Sequence, residues 1–275
     1  MQDILSDFSA TELVKAAIKT NWENYHYCLG RSASVELSIG RYLTWLITNM
    51  PDHFMNLVVC TQLPSEGAEE LIDNAMTHFK SLNIRKLSWL AQKGVPATEI
   101  KKYLLAHGLT FSESFATEVA ADIRSLPDDL PRPIGLRIVP VVAGKTLRQW
   151  IHVASIGFGV REEFEKVWYD FFVEAVFDTR FRTYLALLNG QPVGTSQLFL
   201  SAGVAGIYNV TCIPEARGQG IGTAVTLAAL VQAREIGYRI SILQASQQGS
   251  RVYRRLGFQD FGHLSVYLWE NKTDL

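Results

Sequence analysis

The residues best suited to chemistry in this sequence form a short glycine-rich loop, Arg217-Gly218-Gln219-Gly220-Ile221-Gly222. An apolar run, Ala205 to Ile213, precedes the loop and an amphipathic run, Thr223 to Ile236, follows it, so the pattern predicts a strand, a turn and a helix. The backbone N–H groups of such a turn and of the first helical turn have no helical partner, and they point at one place. Glycines let the main chain approach a ligand closely and permit positive φ. We therefore predict that this loop binds phosphate.

Two common phosphate-binding motifs do not fit the loop. A dinucleotide-binding unit has G-x-G-x-x-G and an acidic residue about 20 residues later that holds the ribose. This chain has G-x-G-x-G, and its next predicted strand, Arg239 to Ala245, ends without Asp or Glu. A P-loop needs Lys followed by Ser or Thr after the glycines, and neither pair follows here. The sequence therefore predicts that the phosphates belong to another carrier.

The segment from Tyr208 to Phe258 resembles the GCN5-related N-acetyltransferase (GNAT) superfamily. The acyl-CoA signature of that family is Arg or Gln, two residues, Gly, one residue, and Gly or Ala, which corresponds to Arg217, Gly220 and Gly222. The late helix, Val252 to Phe258, ends in Leu-Gly-Phe and also resembles the family. The resemblance implies acetyl-CoA as co-substrate, with no metal.

The resemblance departs from the family pattern before the late helix. Where many members have Asn and Ala ahead of the tyrosine, this chain has Ser246 and Gly249. We expect Ser246 or Gln247 to replace part of the pantetheine-side hydrogen bonding of that Asn.

The resemblance also implies roles for single residues. The strand from Tyr208 onward is expected to splay from its neighbour, with its main-chain N–H near Asn209 or Val210 polarising the acetyl carbonyl. Tyr253 is expected to face the CoA sulfur as general acid, since a phenol with a pKa of about 10 can donate to a developing thiolate. The predicted catalytic residues are thus Tyr253 and Asn209, and the predicted cofactor-binding residues are Val210, Cys212, Ile213, Arg217, Gly218, Gln219, Gly220, Ile221, Gly222, Thr223, Ser246, Gly249 and Tyr253.

The sequence leaves the general base and the acceptor pocket open. Candidates for a general base are a bound water and the side chains Glu215, Glu162, Glu163, Asp170, His152 and His263. Core packing is the default expectation for the aromatic residues between Phe158 and Phe177, although one or two rings could line a pocket for an apolar or aromatic amine. Arg254 and Arg255 could reach the 3′-phosphate of CoA, but a solvated helix face suits them equally. The expected partner is a small-molecule or peptide amine.

The order of predicted elements agrees with the family. After a proline-rich segment, Ser125 to Pro133, which reads as a linker, the pattern is β-α-α-β-β-β-α-β-α-β. The first half repeats this pattern more faintly, with carboxylates at Glu66, Glu69 and Glu70 where a phosphate loop would lie. The predicted fold class is α/β (α+β), with two tandem GNAT folds whose mixed central sheets are flanked by helices. The predicted boundaries are 1–125 for a degenerate GNAT-like domain, 126–135 for the linker and 136–275 for the catalytic domain.

Composition fits a globular enzyme and limits its partners. Apolar residues make up 48% and charged residues 19% of the 275 positions, which is ordinary for a globular chain. A net charge of −1 argues against an extended nucleic-acid surface. The chain begins without a basic region followed by an apolar core, and no apolar run approaches a membrane span. Its three separate cysteines suit a reducing compartment, so we expect a cytoplasmic monomer or homodimer.

The sequence thus favours an N-acetyltransferase that uses acetyl-CoA by direct attack in a ternary complex. Two alternatives stay open. One is a non-catalytic acyl-CoA sensor, and the other is an acyltransferase with a different acyl donor.

Overall fold

A computed structural model describes residues 3–32, 35–48, 50–53, 55–60, 62–64, 66–92, 97–126 and 130–271 of the chain. In chain order its helices and strands are α1 (Thr11–Leu29), β1 (Val35–Ile39), β2 (Leu43–Thr48), β3 (Leu57–Cys60), α2 (Ala68–Ser81), β4 (Lys86–Gln92), α3 (Ala97–Ala106), β5 (Thr110–Asp122), β6 (Leu136–Pro140), α4 (Lys145–Phe158), α5 (Glu165–Phe177), β7 (Phe181–Leu188), β8 (Gln191–Ser201), β9 (Val204–Cys212), α6 (Ile221–Ile236), β10 (Ile240–Ala245), α7 (Ser250–Arg255) and β11 (Gln259–Glu270).

The order from β6 onward confirms the predicted sequence of elements. The Asn189-Gly190 pair between two apolar runs predicts a two-residue hairpin turn, and this turn is found between β7 and β8, with φ of 50° and 83° at the two residues. In the first half, the sequence predicts a strand at 56–63, a helix at 66–82, a strand at 86–91 and a helix at 97–107, and β3, α2, β4 and α3 lie at these places. Helix α1 and strands β1, β2 and β5 were not predicted.

The chain divides into two compact units. Unit 1 comprises Met1–Ser32 and Glu118–Phe261, and unit 2 comprises Ala33–Thr117 and Gly262–Leu275. In unit 1 the strands lie in the order β5-β10-β9-β8-β7-β6, and in unit 2 they lie in the order β1-β2-β3-β4-β11. Both sheets are mixed, since β9 and β10 are parallel, as are β3 and β4, while the other recorded pairs are antiparallel.

This division differs from the boundaries predicted from the sequence. The first helix belongs to unit 1, where Asn21 Nδ2 donates to the carbonyls of Phe199 and Ser201 on β8 at 3.4 and 2.9 Å. The segment predicted as a linker is also part of unit 1, because the carbonyl of Leu126 accepts from Arg234 Nη1 at 2.6 Å. Pro127, Asp128 and Asp129 of that segment lie outside the described residues.

Unit 1 buries its sheet on both faces. One face packs on α6 and α7 through residues such as Leu230, Leu243 and Phe258. The other packs partly on α1, where Val14 and Ile18 contact a cluster that includes Ala120, Val204, Ile240 and Ile242. Of the aromatic residues predicted to pack in the core, Trp168, Phe171 and Phe172 are buried in α5 while Phe177 is exposed.

Unit 2 has its own core, built around Phe79, Trp89 and Tyr267. Its helix α2 has Glu69 and Glu70 in the first turn, which disfavours an anion at that helix end. Among the residues that the structure describes, no helix combines the length and apolar content that a membrane span needs. Within the same ranges, no group of three or more His, Cys, Asp or Glu side chains is arranged to hold a metal ion.

Candidate functional site

Strand β9 contains a bulge at Asn209 and Val210. The antiparallel register with β8 pairs Thr195 with Thr211 and Gln197 with Tyr208, so two residues of β9 lie opposite one residue of β8. Asn209 is in the left-handed region with φ of 51°. A bulge of this kind bends its strand and interrupts the ladder. The bulge therefore lies at the position where the sequence predicted the backbone groups of an active site.

The side chain of Asn209 is held inside unit 1. Its Nδ2 donates to Tyr25 Oη at 2.8 Å and to Gln197 Oε1 at 3.1 Å. Its carbonyl accepts from Thr195 Oγ1 at 2.7 Å. The Tyr25 hydroxyl in turn donates to Gln197 Oε1 at 3.0 Å, so the half-buried Asn209 and the buried Tyr25 and Gln197 form a closed network at the bulge.

The ladder between β9 and β10 ends before the bulge is reached. Their parallel register pairs Ala205 and Gly206 with Ser241 and Ile242. Both strands then continue, to Cys212 and Ala245, but no further ladder pair joins them in this described part of the chain. The end of the ladder is compatible with the splay predicted for the strand, and beyond it the backbone groups of β9 that face β10 are not engaged in a ladder with β10.

The glycine-rich loop leads from β9 into α6. Gly218 and Gly220 have φ of 75° and 80°, and a Cβ added at either would have no neighbouring atom within 4 Å. The amides of residues 218–223 have no hydrogen-bond acceptor among the described residues, and the first amide of this region with an acceptor is that of Ala224, which donates to Gly220 O. The loop thus presents a row of free N–H groups at the positive end of a 16-residue helix.

Two side chains brace the loop. Arg217 donates through Nε to the carbonyl of Cys212 at 3.2 Å and through Nη2 to that of Gly157 at 3.0 Å. Gln219 Nε2 donates to the carbonyl of Glu215 at 2.9 Å. Because a guanidinium has five N–H donors, the exposed Arg217 keeps donors for an anion while it fixes the loop to β9 and α4.

Cys212 and Ile213 lie where β9 enters the loop. Cys212 Sγ is near Gly194 and Gly222, where added Cβ atoms would meet it at 3.3 and 4.0 Å. Burial raises the pKa of its thiol to about 11. Ile213 continues the ladder, its N–H donating to Val193 O at 3.1 Å. The backbone of this strand end is therefore fixed, and the thiol stays neutral near pH 7.

Tyr253 lies on α7 in the core of unit 1. Its exposed fraction is 9%, and its ring meets Phe258 edge-on at 5.9 Å between centroids. Burial is the main reason that the pKa of its phenol is raised, and a charge on Cys212 would raise it further. The hydroxyl is therefore protonated at neutral pH, as a hydrogen-bond donor must be.

Ser246 and Gly249 form the turn before α7. Ser246 Oγ accepts the N–H of Gly249 at 3.1 Å. A Cβ at Gly249 would lie 2.9 Å from the Tyr253 ring, so glycine is needed for this close packing. Arg254 pairs with Asp260 at 3.4 Å.

Most candidates for the general base have partners on the surface. His152 Nδ1 and Ser155 Oγ both bond to Glu165 Oε1, at 2.8 and 2.6 Å, and connect α4 to α5. Asp170 pairs with Lys166 at 2.7 Å and Glu163 with Arg161 at 2.9 Å. Glu162 and Glu215 are exposed, and in unit 2 His263 Nδ1 lies 3.5 Å from Thr117 Oγ1. These contacts do not bring one base to the bulge, so the assignment stays open.

Sequence reasoning missed the residues that hold the bulge. Tyr25 and Gln197 have no motif, and Tyr25 is 184 positions from Asn209 in the chain. The available signal was an amphipathic pattern in α1, which indicates a buried helix face but not the strand that it covers.

Comparison with known proteins agrees with this geometry. Residues 146–258 match the model of the Acetyltransferase (GNAT) family, and this family fold supports acyl transfer in general. A comparison with curated proteins found no match.

Solved structures with the same fold span nearly the whole chain. A GCN5-related N-acetyltransferase from Kribbella flavida has 18% identity and a TM-score of 0.65 over 90% of this chain and 94% of its own. Another from Sphaerobacter thermophilus has 16% identity and a TM-score of 0.61 over 85% and 82% of the two chains. A tandem GNAT protein from the clavulanic acid biosynthesis pathway has 15% identity and a TM-score of 0.60 over 100% and 99%. These similarities confirm the predicted fold class, a mixed α/β protein of the tandem GNAT type.

Proposed function

We propose that this chain, whose residues 146–258 form a domain of the Acetyltransferase (GNAT) family, transfers an acetyl group from acetyl-CoA to a primary amine. The observation that carries the proposal is the row of free amides at residues 218–223, next to a strand that is bulged at Asn209 and is not in a ladder with β10 there. One feature suits a pyrophosphate and the other suits a thioester carbonyl.

The loop fits the phosphates of CoA. Gly218 and Gly220 leave open space where side chains would stand, and Gly222 adds no side chain beside them, so an anion can reach the N–H groups directly. Gln219, Ile221 and Thr223 supply further main-chain N–H groups. Arg217 adds charge beside the loop, and we assign Cys212, Ile213, Ser246 and Gly249 to the pantetheine arm.

The bulge supplies the group that polarises the carbonyl. In the proposed reaction the acceptor nitrogen attacks the thioester carbon, and negative charge develops on the carbonyl oxygen. A main-chain N–H of Asn209 or Val210 would stabilise that charge, because a fixed donor in a dry site costs no reorganisation when the charge appears.

Tyr253 supplies the proton for the departing sulfur. When the carbon–sulfur bond breaks, the sulfur takes both electrons and the Tyr253 hydroxyl gives it a proton. The phenol is protonated at the start of each cycle because the ordinary pKa of a tyrosine, about 10, already lies above neutral pH, and burial raises it further. The acceptor amine loses its own proton to water or to a base, and solvent returns a proton to Tyr253.

The test is calorimetric titration of the whole chain with acetyl-CoA, followed by a screen of amines read by free-thiol release. We expect one binding site per chain, because only the loop before α6 has the acyl-CoA pattern. The screen covers polyamines, amino acids, aminoglycosides and peptides, and it identifies the acceptor. Failure to bind acetyl-CoA would contradict the proposal, while tight binding without turnover of any amine would support a sensor.

A further inference from the structure

We infer that Tyr25, on a helix far outside the family domain, is a positioning residue for acetyl transfer: it holds Asn209 in the backbone conformation that aims the N–H groups of the bulge at the acetyl carbonyl. The inference rests on the proposed function. It adds a role for α1, which the family match at residues 146–258 does not include.

The backbone conformation of Asn209 is unfavourable without support from other residues. Its φ of 51° lies in the left-handed region, which residues with a Cβ adopt at a cost in energy. Asn tolerates this region better than most residues, but tolerance alone does not select it over the extended conformation of a strand. Other contacts must therefore hold the residue there.

Three side chains support this conformation of Asn209. Tyr25 and Gln197 accept from Asn209 Nδ2 at 2.8 and 3.1 Å, and Thr195 donates to the Asn209 carbonyl at 2.7 Å. The three have exposed fractions of 4%, 1% and 0%. Rotation of Asn209 to the extended conformation would break these three hydrogen bonds and leave the buried Thr195 hydroxyl without its acceptor, which is unfavourable.

Tyr25 is itself held in place by its neighbours. Its ring stacks on that of Tyr208, with centroids 3.8 Å apart and planes 8° from parallel. Its hydroxyl donates to Gln197, and Asn21, one turn earlier in α1, donates to the carbonyls of Phe199 and Ser201. The Tyr25 oxygen therefore stands at a defined place opposite the bulge.

If Tyr25 positions the bulge, loss of its hydroxyl should weaken the binding of the acetyl group and leave the binding of the rest of CoA unchanged. CoA and acetyl-CoA present the same phosphates and pantetheine, and only acetyl-CoA has the carbonyl. The difference between their affinities therefore measures the alignment of the bulge, without knowledge of the acceptor amine.

The experiment is calorimetric titration of the whole protein with CoA and with acetyl-CoA. We expect wild type to bind acetyl-CoA about fivefold more tightly than CoA, the factor that one net hydrogen bond supplies. Tyr25→Phe keeps the stacked ring and removes the hydroxyl, and we expect it to reduce the ratio to below about twofold while CoA affinity is unchanged. Tyr208→Phe is the matched control: its hydroxyl bonds to Asn21 at 2.8 Å and not to Asn209, so it should keep the ratio of wild type.

Substitutions of Asn209 on β9 test the same contact between Tyr25 and Asn209. Asn209→Ala has a Cβ but no side-chain amide. We expect it to lose the preference for acetyl-CoA over CoA although α1 is unaltered. This variant also decides the matter if Tyr25→Phe does not fold. Asn209→Gly can adopt positive φ without support from other side chains. Adding Tyr25→Phe to this variant should therefore leave its ratio of acetyl-CoA affinity to CoA affinity unchanged.

Several results would overturn the inference. These are an unchanged ratio in Tyr25→Phe or Asn209→Ala, an equal loss of CoA and acetyl-CoA affinity, a further loss when Tyr25→Phe is added to Asn209→Gly, or equal affinities of wild type for the two ligands. All of them leave the use of CoA intact. Absence of binding of either ligand to wild type would instead refute the proposed function, and this inference with it.

Discussion

Tyr253 illustrates how burial can prepare a side chain for one proton transfer. A tyrosine with the ordinary pKa of about 10 is already protonated near neutral pH, and burial raises the pKa of Tyr253 further, so the residue can donate a proton but cannot act as a base. We expect Tyr253→Phe to lower turnover by about 100- to 10,000-fold, the usual range for a lost acid, and to leave CoA affinity nearly unchanged. Steady-state kinetics with the best amine and calorimetry with CoA check the two parts.

Tyr184→Phe is the control for this substitution. Tyr184 packs against the core cluster that contains Tyr253, and burial raises its pKa to about 12, but it lies on β7 and has no proposed role. It should keep the turnover of wild type. If Tyr253→Phe also stays within about threefold of wild type, the proton comes from water or another residue.

Gly220 combines two requirements, a positive φ and open space for an anion. Gly220→Glu puts a carboxylate where the free amides converge, and we expect acetyl-CoA binding to fall by several kcal/mol, since an unpaired like charge would face the pyrophosphate. Gly237→Glu is the matched control, because Gly237 also has positive φ, at 115°, and lies at the opposite end of α6. Loss of binding in both variants, or in neither, would contradict the assignment of the loop.

Helix α1 brings a pH-dependent contribution to stability through His26. The side chain is buried, its Nδ1 lies 2.8 Å from the Trp22 carbonyl, and burial lowers its pKa from 6.5 to about 4. The unfolded chain therefore takes up the proton first as pH falls. The contribution of His26 is fully present above pH 6.5, is lost between pH 6.5 and about 4, and does not change further below that.

Urea unfolding at a series of pH values checks this expectation. The free energy of unfolding of wild type should fall relative to that of His26→Gln by roughly 3 kcal/mol at most over this range. The variant keeps an N–H donor for Trp22 but does not titrate. Parallel curves for the two proteins would show that His26 remains accessible to protons in the folded state.

Local sequence signals predicted elements well and their partners poorly. The apolar run and the glycines predicted β9, the loop and α6 to within two residues of their bounds in the structure, because periodicity and turn chemistry are properties of short segments. The bulge at Asn209 was not predictable, since it arises from register against β8. Tyr25 was missed for the same reason, because its partners on β8 and β9 are distant in sequence.

Each unit contains segments from both halves of the chain, and this is why the two units differ from the predicted domains. Unit 1 includes α1 and the end of β5 from the first half of the chain. The last strand, β11, pairs from Leu264 to Glu270 with β4 of unit 2. Each sheet is thus completed by a segment from the other half of the sequence, which a search for two consecutive repeats does not detect.

A truncated chain that begins at Pro133 tests this dependence. It contains every residue of the acyl-CoA pattern, but it lacks α1 and β5. Ile240 and Ile242 of β10 would lose Val14, Ile18 and Ala120 as neighbours, and β10 would become an open sheet edge, which favours aggregation. We expect the fragment to be poorly soluble or inactive, and co-expression with residues 1–132 to restore activity in part. Size-exclusion chromatography and the free-thiol assay measure the two properties. A soluble, monomeric fragment with full activity would mean that neither α1 nor β5 is needed, and it would also remove the role proposed for Tyr25.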